Sequence, residues 1–150
     1  LNFSQSRLDT TQHGFLFNIS DYDNGGVVVH IIRFSKAESY EPEKDWKRVS
    51  LCNRSDISIE HFIKPAGHAS PMHDHPSAQV LIVLKGRLSV ITDSGEQYLL
   101  DEGDAAYIPG GEPHVVTNPL NEASIGLDIF VPGRSFDFWL KRNRGGNHET

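Results

Sequence analysis

Histidine is the residue type that offers chemistry in this chain. Eight occur among 150 residues, and two of them form the run His73-Asp74-His75. In an extended strand, residues two apart point to the same side, so both imidazoles can enter one space. Gln79 lies four residues beyond His75, again an even offset. His114 follows on a later segment, after the turn Pro109-Gly110-Gly111. Three imidazoles and one side-chain oxygen make an open metal site, with positions left for water or substrate. Such a donor set suits one divalent ion: Zn, Ni, Fe or Mn. The remaining histidines carry weaker signals. His61 shares the parity of Ile57 and Ile59, which makes it a candidate pocket wall. His68 stands at an odd offset from the pair, beside Gly67, and reads as a loop residue. His13, His30 and His148 have no motif around them.

A second group of chemical residues lies near the C-terminus. Residues 124–131 alternate: Ile125, Leu127, Ile129 and Val131 take one face, and Gly126, Asp128 and Phe130 the other. The first face is expected to be aliphatic core. The second, with a carboxylate and a ring, has the make-up of a small-molecule pocket wall. Arg134 follows the turn Pro132-Gly133. A carboxylate near a metal can act as general acid or base. An Arg beside it can clamp a substrate carboxylate through two hydrogen bonds. A structural Asp128–Arg134 pair at a rim fits the same residues equally well. Tyr107, just before Pro109, is a further candidate for the pocket lining.

These residues need a sheet to position them. Short runs rich in Val and Ile, bounded by Gly, Pro, Asn and Asp, read as strands. They cover residues 27–34, 57–64, 79–84, 87–92, 97–100, 105–109, 114–117 and 124–131. Lys85-Gly86 has the form of a hairpin turn. Close-set strands with glycine turns argue for an antiparallel sandwich or barrel. Residues 37–47, charged and holding Pro42, read as a loop or short helical turn. Residues 135–142 suit a short terminal helix with Phe136, Trp139 and Leu140 as its buried stripe. Trp46 and Trp139 are expected to be packing residues, and Cys52 an ordinary buried thiol. Residues 1–45 are read as an N-terminal extension packing on the barrel, and residues 46–150 as the domain, with the metal motifs within 67–118.

Composition narrows the function classes. Fourteen Lys and Arg against twenty Asp and Glu give a net charge of -6. A nucleic-acid binder would need a basic patch to neutralise phosphates, so none is expected. No apolar run reaches the length of a membrane span, so no membrane partner is expected. One cysteine excludes an internal disulfide framework and agrees with a reducing, cytoplasmic setting.

The fixed positions around the histidines form two ordered runs. The first is Gly67, five residues, His73, one residue, His75, three residues, Gln79, six residues, Gly86. The second is Gly103, five residues, Pro109, one residue, Gly111, two residues, His114, three residues, Asn118. They resemble the two motifs of the cupin superfamily. The resemblance implies an all-β fold, a double-stranded β-helix barrel of the jelly-roll kind. It also implies that His73, His75, Gln79 and His114 are metal ligands. Gln79 stands where the family pattern usually has Glu. A neutral ligand set leaves the metal its full +2 charge, which favours an anionic substrate.

Residues 128–134, followed by Asp137-Phe138, look like the C-terminal segment of KdgF-type cupins, which also carry Gln at the fourth position. Those proteins convert 4,5-unsaturated monouronates, made by polysaccharide lyases, into linear keto sugars. The resemblance implies that Asp128 is the acid/base, that Arg134 holds the uronate carboxylate and that Phe130 packs on the sugar. It further implies a homodimer acting on a small anionic sugar. The competing expectations are a cupin dioxygenase or lyase on another small molecule, and a non-catalytic cupin that binds a sugar or anion.

Overall fold

The computed structural model describes residues 29–139. The chain divides into two compact units at residue 30, and both sheets lie in the second. Among the described residues, nine antiparallel strands form them. The larger sheet runs β1 (Ser39–Glu43), β2 (Trp46–Asn53), β3 (Ser58–Lys64), β9 (Ser124–Val131), β4 (Ala78–Lys85), β7 (Ala105–Ile108). The smaller runs β6 (Gln97–Leu100), β5 (Leu88–Thr92), β8 (His114–Thr117). This is the all-β barrel expected from the short Val- and Ile-rich runs. Gly86 and Gly95 close the turns on either side of β5 at φ 81° and 83°, a conformation that side chains with a Cβ rarely adopt.

Two local expectations change. Residues 37–47 are the β1–β2 hairpin, not a loop. Among the described residues β1 is an edge strand, and an edge tolerates Pro42 because one side of its backbone needs no donor. Residues 29–33 have no regular structure and Phe34–Lys36 is a 3-10 turn, although a strand is expected there. A β-branched run becomes a strand only where a neighbour takes up its backbone groups. Residues 27 and 28 lie outside the described residues, as does the terminal helix beyond the helical residues 137–139.

One half of the barrel interior is an apolar core of Phe62, Leu81, Val83, Leu88, Val90, Leu100, Ile108 and Val116. A second cluster joins Trp46, Phe136 and Trp139, so Trp139 packs as expected. Between them the large sheet turns an unexpected face inward. On β3 the buried residues are Ser58, Glu60, Phe62 and Lys64, while Ile59, His61 and Ile63 are half-buried on the outer side. On β9 the buried ones are Ser124, Gly126, Asp128 and Phe130, and Ile125, Leu127 and Ile129 lie outside. The aliphatic stripe of β9 is therefore the outer face of the sheet, not the core. Register explains the agreement between strands, since Glu60 pairs with Asp128 and Phe62 with Gly126.

That last pair sets a steric requirement. A Cβ at Gly126 would overlap the Phe62 ring. Gly126→Ala is expected to destabilise the fold by about 1–3 kcal/mol, the usual range for overpacking a core. Chemical denaturation measures it, and an unchanged midpoint would contradict this packing.

Candidate metal centre

Backbone contacts bring the two histidine segments together. His73 N donates to His114 O at 3.1 Å, and His114 N donates to His73 O at 2.9 Å. Gly111 N donates to His75 O at 2.8 Å. A Cβ at Gly110 would overlap Pro76 O, so the Pro109-Gly110-Gly111 turn lies directly on the loop that carries the first pair. In this way His73, His75 and His114 each offer a ligand nitrogen within 4.8 Å of the others.

Each ring is oriented by its other nitrogen. His73 Nδ1 meets Pro71 O, His75 Nδ1 meets Ser77 O and His114 Nδ1 meets Glu112 O, all at 2.8 Å. A carbonyl only accepts, so each Nδ1 carries the proton and each Nε2 presents a lone pair. Backbone acceptors of this kind fix the ring orientation of metal-binding histidines. Burial also holds His73 and His114 below the ordinary imidazole range, which keeps them in the neutral, ligating form. His114 Nε2 is buried and has no hydrogen-bond partner among the described residues.

Gln79 closes the set. Its Nε2 donates to Asp128 Oδ1 at 2.6 Å, which points Oε1 the other way. Oε1 then sits 3.0 Å from His75 Nε2. Two lone pairs facing one another at that distance repel unless a proton or a cation lies against both. Three imidazole nitrogens within 4.8 Å of one another, with an amide oxygen beside one of them, fit a divalent ion. The three histidines can hold it, and Gln79 stands beside them.

Behind Gln79 is a buried ionic network. Arg48 donates Nε to Glu60 Oε2 and Nη2 to Asp128 Oδ2, both at 2.6 Å. Arg134 Nη2 reaches Glu60 Oε1 at 3.2 Å, and Trp139 Nε1 donates to Glu60 Oε2 at 2.9 Å. Burial works against the Glu60 charge, yet Arg48 and Arg134 outweigh it and hold the carboxyl below its ordinary range. Burial likewise opposes the Arg48 charge, and Glu60 and Asp128 reverse the effect. The anticipated Asp128–Arg134 pair does not form: Asp128 pairs with Arg48, and Arg134 with Glu60. A cavity of about 200 Å³ opens onto this network and is lined by His73, Gln79, Asp128, Phe130, Arg134 and Lys64.

Residues 60–130 match the family described as the Cupin domain. The fold agrees. An RmlC-like cupin from Shewanella frigidimarina superposes with a TM-score of 0.65 and 25% identity, covering 74% of this chain and 96% of that one. KdgF from Halomonas sp. gives a TM-score of 0.65 at 22% identity, covering 74% and 99%. The chain carries a cupin domain over residues 60–130. It is also 47% identical over 89 residues to the quercetin 2,3-dioxygenase of Bacillus subtilis, a match covering 57% of this chain and 26% of that protein.

Within this cupin the anticipated site residues separate into two groups. His73, His75, Gln79, His114, Asp128, Phe130 and Arg134 gather at one end of the barrel; His75 and Phe130 ring centroids are 5.3 Å apart. His61 does not join them. It stands on the outer face of β3 against Phe34, at 4.8 Å between ring centroids, because the inward parity of β3 belongs to Glu60 and Phe62. Tyr107 is 69% exposed, because Ile108 takes the inward position on β7. Arg48, Glu60 and Lys64 are buried in the lumen and were missed as site residues. The available signal was a charge at the parity of an aromatic residue: Arg48 with Trp46, Glu60 and Lys64 with Phe62. Removing one imidazole, as in His114→Ala, is expected to drop bound metal from about one ion per chain to near none at a set metal concentration. Elemental analysis of the dialysed protein reads this, and full retention would place the metal elsewhere.

Proposed function

We propose that this chain is a metal-dependent enzyme that converts 4,5-unsaturated uronates, released by polysaccharide lysis, into linear keto sugars. The observation that carries the reading is the position of Asp128. It lines the cavity at 5% exposure, hydrogen-bonded to the Gln79 that stands beside the three histidines. The likeness to KdgF lends the substrate class.

His73, His75, Gln79 and His114 would hold one divalent ion, which when bound supplies a positive charge that orients and polarises sugar oxygens. The chain's own residues do the rest. Asp128 accepts one hydrogen bond at each carboxylate oxygen, and each oxygen keeps a further lone pair for a proton. It moves protons as the double bond is hydrated and the ring opens to the ketone. Arg48 holds its carboxylate in place through the chemistry. Phe130 gives the sugar a flat apolar wall, and the Arg134 guanidinium lies 4.0 Å over that ring. Among the described residues the buried Arg134 Nε has no hydrogen-bond partner.

The quercetin 2,3-dioxygenase similarity supports a second reading, oxygenation of another small molecule, and an oxygen-uptake assay separates the two. For the uronate reading, the absorbance of a 4,5-unsaturated galacturonate is followed with metal-loaded protein. The conjugated double bond is expected to disappear faster than without protein. Asp128→Asn is expected to slow this about 10²–10⁴-fold, the usual weight of a general acid/base, with metal content unchanged. A wild-type rate in that variant removes the assignment, and no acceleration by the unmutated chain removes the substrate class.

A further inference from the structure

Three cations face the cavity: Arg48 on β2, Lys64 on β3 and Arg134 beyond β9. Two carboxylates, Glu60 and Asp128, stand among them, so one positive charge is left over. Arg48 spends its charge on both carboxylates. Arg134 spends Nη2 on Glu60 and lies over the Phe130 ring. Lys64 differs from both. Its residue is 2% exposed, yet among the described residues Nζ makes no hydrogen bond and no ion pair. Its close neighbour is the Trp46 ring, 4.7 Å away. An aromatic face relieves only part of the cost of burying a charge.

We propose that Lys64 is the anion-binding group of this cavity, its ammonium taking the carboxylate of the acidic sugar. This rests on the acidic-sugar reading above. It moves the carboxylate from the arginine that already serves Glu60 to the cation that no carboxylate pairs with directly among the described residues.

The charge is present when needed and can be titrated away. Burial, with Arg48 beside it, pulls Lys64 down to about 8, against the opposing pull of Asp128 and Glu43. The groups facing it are thus Arg48 from β2, Asp128 from β9, Glu43 from β1 and, from the loop after β3, His68. Burial and Lys64 itself hold His68 below the ordinary imidazole range, so His68 is already neutral where Lys64 titrates.

Calorimetric titration of the metal-loaded chain with galacturonate and with galactose tests the proposal, since neither saturated sugar has the double bond that reacts. The unmutated chain is expected to prefer galacturonate. Lys64→Met should weaken galacturonate binding about tenfold or more, as loss of a charged hydrogen bond does, and leave galactose binding and metal content unchanged. Lys64→Arg should keep the preference. Between about pH 7 and about pH 9 galacturonate affinity should fall in the unmutated chain, because the ammonium loses its proton there, and stay level in Lys64→Arg. Equal galacturonate binding in Lys64→Met, no preference for the acid in the unmutated chain, or a pH slope that survives in Lys64→Arg would each overturn it. Lysine-dependent binding without turnover of the unsaturated uronate would instead overturn the reaction and leave the Lys64 assignment standing.

Discussion

Asp128 gives one carboxylate oxygen to Gln79 and the other to Arg48, each at 2.6 Å, in a barrel interior where it is 5% exposed. Several features follow from this shared carboxylate. An amide has one donor end and one acceptor end, so a carboxylate at the donor end turns the oxygen toward the histidines. Arg48 makes the buried carboxylate tolerable, and Glu60 in turn makes the buried Arg48 tolerable. Glu60 then anchors Arg134 and Trp139. The chain of contacts runs from the metal centre to the C-terminal segment without a break. An aliphatic residue at position 48 would leave the buried Asp128 carboxylate without an ion-pair partner.

The histidine cluster was the most legible part of the sequence. His73 and His75 announce themselves by spacing, and the glycines and prolines around them specify turns whose geometry few other residues accept. Asp128 and Phe130 were legible because they share a parity and sit before a turn. Arg48, Glu60 and Lys64 were not, because what makes their burial tolerable comes from other strands of the sheet. The Arg48–Asp128 contact spans 80 residues. No local pattern encodes such a partner, and a charged residue in a strand reads by default as a solvent-facing one.

The inversion of the large sheet has the same origin. Aliphatic residues mark the inside of a sheet when the inside is only a core. Here the inward face must carry a site, so β3 and β9 place Glu60, Lys64 and Asp128 inside and leave Ile59, Ile63, Ile125, Leu127 and Ile129 half-buried on the outer side. That is also why His61, which shares its parity with isoleucines, lies on the outer face of β3. The alternation was read correctly as a period; its direction was set by polar partners that the period does not contain.

The central claim is that Gln79, turned by Asp128, supplies an oxygen beside three histidine nitrogens. A crystal structure of the metal-loaded protein, with data collected at the absorption edge of the metal, tests it most directly. The expected result is one ion bound by Nε2 of His73, His75 and His114 and by Oε1 of Gln79, with Gln79 Nε2 still donating to Asp128. An ion held without Gln79, or a Gln79 amide that has left Asp128, would contradict it.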